Sequence, residues 1–584
     1  MGKSVLNKLK RRLSNAGDSM SIKSAREEDI HIPIPNEIYN WKIVLVALVS
    51  ASAAIIIGYD SGFIGGTVSL VSFQQEFGLD KMSTDASTLI TANVVSVFHA
   101  GAFWGSLIMY PVGELLGRKV GLIISGFLLT FGAAITLIAD QDRGLGAIYA
   151  GRIITGIGIG GCSGLAPIYI SEISPSSIRG KLVGCWELSW QIGGIVGYWI
   201  NYGVLENIPN SRKQWIIPFA IQLVPSGIFF GCLFLIPESP RYLISRGKIA
   251  KAKKNLSFLR GLPEDHEYSL HEIDIFTTDI EERIAKIGSG FFAPIIEIFT
   301  NKKLIYRLFL STALFPMQNG SGINAINYYS PTVFKSLGVS GPNAGLLSTG
   351  IFGILKGFAS VIWIFFVVEL MGRRTALIWF SVPCSLCMWY IGAYIKISDP
   401  AARLASGNTK MDAGGKAAQA LLYIWTIFYG ASWNGTPWVI NSEIFSQEVR
   451  TFTQAVNSSS NWFWAFIMGR FTGKAFEATS FGLYFLFGAC MIIFPIIIFF
   501  FYPETKGVPL EAIDHLFEVP AWRARAYALE KFENEYENGE LIEEHAHQMN
   551  AHGSVSSEDE KVGGVQVNVT NGSSLTTDSI NHRT

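Results

Sequence analysis

Charged residues are scarce in this sequence. Only 16% of its 584 residues are Asp, Glu, Lys or Arg, and the 46 basic residues balance the 46 acidic ones. Because nucleic acid binds mainly to an excess of basic residues, no nucleic-acid partner is expected. Cysteine is also scarce: its six residues lie in apolar runs, without the spacing of disulfides or metal sites, which predicts buried packing positions.

The sequence lacks the motifs of an enzyme. It contains no phosphate-binding loop, no cluster of metal ligands and no nucleophile paired with a base. Gly156, Gly158 and Gly160 superficially match a dinucleotide fingerprint, but they lie in an apolar run with no preceding strand. In such a run, small residues let membrane helices approach closely. We therefore predict no enzymatic activity, no cofactor and no bound metal.

Apolar residues dominate the chain instead. Hydrophobic residues make up 49% of it and aromatic residues 13%, with a mean hydropathy of +0.32. A helix that spans a bilayer needs about 20 apolar residues. Twelve runs of that kind predict an all-α membrane protein. The runs lie near 41–66, 88–110, 119–139, 145–170, 182–204 and 214–236, and then near 304–328, 344–368, 375–396, 418–440, 454–474 and 481–502.

The runs divide the chain into five predicted segments. A cytosolic N-terminal segment is followed by a six-helix half, a Lys-rich cytosolic linker, a second six-helix half and a cytosolic tail that is disordered toward its end. The boundaries are 1–40, 41–236, 237–303, 304–502 and 503–584.

Basic residues recur at alternate ends of the runs, at Arg118, Arg179, Arg373 and Arg450. The positive-inside rule assigns this side of the membrane to the cytosol. With an even number of spans, both termini share that side. No removable signal peptide is evident at the N-terminus.

Three short motifs occur twice in the same order. Because each copy spans an even number of runs, the two halves have the same membrane orientation and are parallel repeats, with a central cavity expected between them. The matching pairs are 114–119 with 369–374, 171–179 with 442–450, and 237–239 with 503–505.

The repeated charges are candidates for a cytosolic gate. Arginines and glutamates at the ends of spans can pair across loops and hold one side closed until the halves rock apart. The alternative is that the basic residues only fix orientation. The candidate gate residues are Glu114, Arg118, Glu172, Arg179, Glu238, Arg241, Arg373, Arg374, Glu443, Arg450 and Glu504.

Two charges lie within the first half's apolar runs. Asp60 follows the run from Val44 to Ile57, either inside the membrane or just beyond the end of the span, and Arg152 lies inside the fourth run. A lone arginine there costs roughly 2.5 kcal/mol or more, so it needs a partner, and Asp60 is the natural one. A proton on Asp60 would loosen the pair, which predicts proton coupling; the alternative is a permanent structural ion pair.

Together these motifs resemble the sugar porter family of the major facilitator superfamily across nearly all of residues 41 to 510. Within that family, the runs 318–329 and 430–438 are most like those of fungal quinate permeases and related yeast sugar transporters. Two departures are Glu114-Leu115, where the family usually has Asp-Arg, and Ser446 in place of a common proline. The other motifs that carry the resemblance are 58–60, 117–119, 151–160, 237–241 and 503–507.

The resemblance implies a major facilitator fold and specific site residues. Proton-coupled members pair the first-span acid with the fourth-span arginine, which assigns proton coupling to Asp60 and Arg152. Amides suit a ring of hydroxyl groups, and indole rings suit its C–H faces. The candidate substrate residues are Glu187, Gln191, Gln318, Asn319, Asn324, Tyr328, Lys356, Trp433, Trp438, Asn461 and Trp462.

Lys356 is the most informative departure from the family, which commonly has a substrate-contacting asparagine there; Glu187 stands where a glutamine is usual. In one interpretation, Lys356 binds the carboxylate of an acidic substrate such as quinate. In the other, Lys356 pairs with Glu187 and leaves a neutral site for a pentose or hexose.

We therefore predict a secondary transporter that takes up a monosaccharide or quinate together with protons, by alternating access. The alternatives are a proton-independent facilitative sugar transporter and a transporter-like nutrient sensor. The predicted partners are the substrate, protons and the lipid bilayer. The protein is expected to be a monomer in the plasma membrane.

Overall fold

The computed structural model describes residues 35–534 except 289, 342, 407–409 and 447–448. The predicted N-terminal segment up to residue 34 and the tail beyond residue 534 lie outside the described residues. Every regular element within the described ranges is helical. The prediction of an all-α protein is therefore confirmed.

Each predicted apolar run corresponds to a helical span. In the first half the spans are Trp41–Ser69, Thr84–Leu115, Arg118–Thr136, Gly146–Ile173, Arg179–Asn207 and the divided sixth span Arg212–Ile221 with Leu223–Leu233. In the second half they are Lys302–Gly320 with Ile323–Ser336, Ala344–Ile362 continuing to Met371, Arg373–Ser398, Ala413–Gly430 with Thr436–Glu443, Arg450–Thr479 and Gly482–Phe501.

Shorter helices precede, connect or follow the spans. They are Asn36–Ile38, Val71–Glu76, Leu79–Lys81, Ser176–Ile178, Pro240–Ser245, Ile249–Arg260, Glu267–Ile287, Ala293–Thr300, Pro400–Ala405 and Leu510–Phe517.

Four spans are less apolar than the others. Among the described residues, eight helical segments are long and apolar enough to cross a membrane by composition alone. The fifth, seventh, tenth and eleventh spans are not among them. The seventh and tenth are broken in the middle, and the fifth and eleventh carry buried amides such as Gln191 and Asn457. Polar residues in a span are expected to face the protein interior rather than lipid.

Glycines bring the first and fifth spans into backbone contact. A Cβ atom on Gly58 would lie 1.9 Å from the carbonyl oxygen of Trp190, and one on Gly193 would lie 1.9 Å from that of Ile55. Only small residues permit such an approach. Two residues after Gly58, Asp60 is buried inside the helix rather than in a loop beyond it.

The polar segment between the halves is folded and docked. Arg260, at the end of helix Ile249–Arg260, is fully buried. Its guanidinium donates to the carbonyl of Ile173, at the end of the fourth span, at 2.8 Å and to the carboxylate of Glu272 at 2.5 and 2.8 Å. A buried arginine that satisfies a helix C-terminus fixes this segment to the first half.

Among the described residues, 35–528 form one compact unit that contains both repeats, and a second unit begins at Leu529.

Candidate functional site

Asp60 and Arg152 form a buried ion pair between the first and fourth spans. The two guanidinium nitrogens Nη1 and Nη2 lie 3.0 and 3.2 Å from the carboxylate oxygens Oδ1 and Oδ2. Both side chains are only 1–2% exposed. The two-point geometry is the strongest that arginine offers a carboxylate.

The second and sixth spans complete the environment of this pair. Arg152 Nε donates to the carbonyl of Val94 at 2.6 Å, and the guanidinium lies 5.0 Å from the centre of the Phe98 ring. Gln222 Nε2 donates to Asp60 at 3.4 Å. Protonation of Asp60 would leave Arg152 with a carbonyl and a ring as its closest partners, so the pair can exist in two states of different strength.

Glu187 lies between the halves on the fifth span. Its Oε1 atom accepts from Gln191 Nε2 at 2.6 Å and from Asn434 Nδ2, in the second half, at 2.5 Å. Asn434 Nδ2 also donates to Ser360 Oγ at 3.1 Å. Two amides therefore hold the carboxylate, and one of them reaches across from the other half.

Lys356 occupies a different position on the eighth span. It is 4% exposed, and its Nζ atom donates to Asn327 Oδ1 at 3.5 Å, the same oxygen that accepts from the Tyr198 hydroxyl at 3.0 Å. Within the described part of the chain, no ion pair of 4.0 Å or less joins Lys356 to Glu187. The direct pairing in the second interpretation of Lys356 is therefore absent from this conformation.

Gln318, on the seventh span, hydrogen-bonds to the backbone at a break in the tenth span. The tenth span stops at Gly430 and restarts at Thr436, and Gln318 Nε2 donates to the freed carbonyls of Trp433 and Asn434 at 2.8 and 2.9 Å. Irregular backbone inside a membrane needs such partners. The seventh span is itself broken at Gly322, whose φ is +94°.

Asn319 and Asn324 lie on either side of the break in the seventh span. Asn324 Nδ2 donates to Asn319 Oδ1 at 2.5 Å, so the two amides bridge the break. Their predicted role as hydrogen-bond partners of a substrate therefore competes with a structural one.

The predicted aromatic residues have different environments. Trp433 is fully buried in the core of the second half, with its indole N–H donating to Ser381 at 2.8 Å, so it offers no surface to a substrate in this conformation. Trp438 is half-buried and packs edge-on against Phe315.

Trp462 and its neighbour Asn461 lie at the interface of the halves. Trp462 donates its indole N–H across to Ser163 at 3.0 Å and stacks on Trp190 with an angle of 10° between the rings. Asn461, one residue earlier, is 8% exposed.

The candidate gate charges of the first half form one cluster. Arg118 donates to Glu172 at 3.1 Å, to Glu114 at 3.0 Å and to the carbonyl of Gly113 at 3.0 Å. Glu238 accepts from the backbone N–H groups of Lys119 and Ser239. Burial raises the pKa of Glu238, and these two N–H groups oppose that rise.

The second half repeats this cluster. Arg373 donates to Glu443 at 2.8 Å and to the carbonyl of Val368 at 3.2 Å, while Glu504 accepts from the N–H groups of Arg373 and Thr375. The duplicated motifs therefore build the same contacts twice, and each of these ion pairs lies within one half.

The remaining gate candidates contact their own surroundings. Arg241 pairs with Asp279 in the connecting segment, and Arg374 and Arg450 donate to the carbonyls of Phe499 and Phe445. Arg179 begins the fifth-span helix. These contacts lie within the second half or within the connecting segment, and a latch between the halves remains a prediction.

The structure brings into the site several residues that the sequence did not single out. Asn327, Ser360, Asn434 and Tyr198 contact Lys356, Glu187 or their partners, and His99 contacts Tyr328. The signal for Asn327 and Asn434 was present, since both lie in motifs that carry the family resemblance. Ser360, Tyr198 and His99 gave no such signal, because a single serine, tyrosine or histidine in an apolar run has no distinctive spacing.

Comparison with known proteins defines the class. The family described as "Sugar (and other) transporter" matches residues 46–517, so this chain belongs to that family of membrane transporters and is not an enzyme. The fold is that of the major facilitator superfamily. A proton:xylose symporter, XylE, bound to 6-bromo-6-deoxy-D-glucose superposes with a TM-score of 0.66 at 24% identity, over 82% of this chain and 100% of the other.

The curated relatives are more specific. "Probable quinate permease" of Aspergillus flavus is 51% identical over 520 residues, which cover 89% of this chain and 96% of the relative. A protein of the same name from Neosartorya fischeri is 50% identical over 507 residues, covering 86% and 93%.

Proposed function

We propose that this protein is a proton-coupled transporter for quinate or a closely similar cyclic polyhydroxy acid. The observation that carries the proposal is Lys356, a buried ammonium group whose hydrogen bond to Asn327 is long, at 3.5 Å. An ammonium has three donors, and a buried charge without a strong acceptor is costly. A substrate carboxylate would supply that acceptor, and the names of the relatives support this substrate.

The proposed proton site is the pair of Asp60 and Arg152. Its carboxylate is buried and close to a single countercharge, so gain of a proton changes the contact between the first and fourth spans. Spans that rearrange together in this way can couple proton binding to alternating access. We place both termini and the arginine clusters in the cytosol, and the protein in the plasma membrane.

The charge carried per cycle tests the substrate and the coupling together. Quinate carries one negative charge at neutral pH, so its symport with one proton is electroneutral, whereas symport of a neutral sugar with a proton moves charge. Purified protein in liposomes would be given labelled quinate, glucose or xylose under a pH gradient or a potassium diffusion potential. We expect quinate accumulation that follows the pH gradient and ignores the potential.

Asp60→Asn isolates the coupling step. A gradient of two pH units stores about 2.7 kcal/mol per proton, equivalent to roughly 100-fold accumulation. We expect the variant to lose accumulation but to retain exchange of internal for external quinate. Full accumulation by this variant would contradict the assignment, and loss of exchange as well would indicate a structural ion pair.

A neutral monosaccharide is the second candidate. It is favoured by the hydrogen-bonding amides around Glu187, which suit hydroxyl groups. Potential-driven accumulation of glucose or xylose, without competition by quinate, would establish it. Uptake of any substrate that a protonophore leaves unchanged would indicate a facilitative transporter, and binding without uptake would indicate a sensor.

A further inference from the structure

His99 is a buried histidine to which the proposed function assigns no role, although it contacts Tyr328, a candidate substrate residue. It lies in the second span and is 1% exposed. Its ring nitrogen Nδ1 is 3.1 Å from the carbonyl oxygen of Val95, and Nε2 is 2.7 Å from the hydroxyl of Tyr328. Because a carbonyl only accepts, Nδ1 carries the proton, and Nε2 of the neutral ring accepts the hydrogen of Tyr328.

This hydrogen bond joins the two halves. His99 belongs to the first half, and Tyr328 belongs to the seventh span, in the second half. The seventh span reaches the first span at the same level: a Cβ atom on Gly65 would lie 2.1 Å from the carbonyl of Tyr328. The neighbouring Tyr329 turns the other way and donates to Gly469 within its own half at 2.8 Å.

The part of the second span that contains His99 also contacts the ion pair of Asp60 and Arg152. The carbonyl of Val94 accepts from Arg152, and the next carbonyl, of Val95, accepts from His99. The ring of Phe98 lies 5.0 Å from the Arg152 guanidinium and 5.3 Å from the His99 ring. A shift of Arg152 would therefore act on the segment that orients His99.

We propose that His99 is a positioning residue for alternating access, which connects the Asp60 and Arg152 pair to closure of the transporter on the side opposite the arginine clusters. This proposal rests on the proposed transport function. The hydrogen bond from Tyr328 to His99 holds the seventh span against the first half. Opening on that side requires the bond to break, and the proton site acts on the bond through residues 94 to 99.

A cysteine reporter tests the proposal without any substrate. Leu346, on the eighth span, is 6% exposed and packs into a cluster made mostly of first-half residues. In a Leu346→Cys protein in sealed vesicles, a membrane-impermeant maleimide reacts from that side only when the halves separate. The parent protein, with its six native cysteines, provides the background rate.

His99→Phe keeps an aromatic ring but loses the acceptor. We expect it to speed reporter labelling roughly fivefold, since a neutral hydrogen bond contributes about 1 kcal/mol net. Tyr328→Phe should have the same effect, and the double variant should show no further increase. His99→Gln, whose amide oxygen can accept near the position of Nε2, should restore slow labelling.

Tyr329→Phe is the matched control, because it removes a buried tyrosine hydrogen bond that does not cross between the halves. It should leave the labelling rate unchanged. Equal acceleration by Tyr329→Phe, or additive effects of His99→Phe and Tyr328→Phe, would overturn the proposal. If His99→Phe fails to fold, Tyr328→Phe and His99→Gln together give the same comparison. A failure of quinate transport would not alter these rates, so the two proposals fail separately.

Discussion

Replacement of Lys356 by glutamine is the sharpest test of substrate chemistry. The substitution removes the charge but keeps a hydrogen-bond donor of similar reach. Among the described residues, Lys356 makes no ion pair of 4.0 Å or less with Glu187, so the change breaks no existing salt bridge. The effect of the substitution should therefore depend on whether the substrate carries a carboxylate that binds Lys356.

The expected magnitude follows from the contacts. A hydrogen bond to a charged group contributes about 1.5 to 3 kcal/mol, whereas a neutral one contributes about 0.5 to 1.5 kcal/mol. Because glutamine keeps a donor, the expected loss is the difference of about 1 to 1.5 kcal/mol, and Lys356→Gln should weaken quinate binding roughly 5- to 15-fold. Binding of a neutral sugar, which meets a neutral donor in place of the ammonium, should change about twofold or less. Selectivity for quinate should therefore fall about fivefold or more.

Counterflow in liposomes is the suitable assay, because it reports binding and exchange without a net driving force. The KM for quinate would be measured for the parent, for Lys356→Gln and for Lys356→Arg, which retains the charge. Lys335→Gln is the control, since Lys335 lies on an exposed surface of the seventh span. It should behave like the parent.

Glu187→Gln distinguishes the two interpretations of Lys356. If the substrate carboxylate binds Lys356, removal of a nearby negative charge should preserve or tighten quinate binding. If Lys356 and Glu187 pair during the cycle, either substitution should impair every substrate alike, because each would orphan a buried charge. An equal loss of quinate and sugar exchange in both variants would refute the carboxylate assignment.

Two further predictions concern regions outside the substrate site. Gly117 has a φ of +112°, and a Cβ atom there would lie 2.2 Å from Glu238 Oε2, so Gly117→Ala should lower the thermal midpoint in detergent more than Gly144→Ala, which has open space around it. The Arg403 guanidinium and the Tyr394 hydroxyl hold the pKa of Asp412 at about 2, below its usual 3.8. Its stabilising effect is complete above the usual pKa and is lost as the pH falls toward 2, so the destabilisation caused by Asp412→Asn should be clear at pH 6 and shrink by pH 3.

The sequence predicted the helices well because a membrane imposes a length and a composition on each span. It also located Asp60 and Arg152, because a charge in an apolar run is rare and needs a partner. It predicted less about aromatic and amide side chains. Trp433 and Trp438 lie in the same run of the sequence, 430–438, yet Trp433 is fully buried in the second half and Trp438 is half-buried.

Gln318 shows why some roles cannot be read from the sequence. Its amide suits a sugar hydroxyl, but the break in the tenth span leaves two carbonyl groups within its reach, and it donates to both. That break lies more than a hundred residues away along the chain, so no local pattern around Gln318 predicts it. The repeated arginine motifs were recognised as a pair, but their contacts within each half depend on how the spans pack.

By itself, the sequence determined the class of protein, the number of spans, the duplication and the charges that need partners, because hydropathy and repeated motifs are local properties. Only the tertiary structure decided which of those charges meet. It paired Asp60 with Arg152, left Lys356 and Glu187 without a direct ion pair among the described residues, and brought His99 to Tyr328. The reason is physical: a hydrogen bond requires two atoms within about 3.5 Å, and only the packing of distant spans brings them that close.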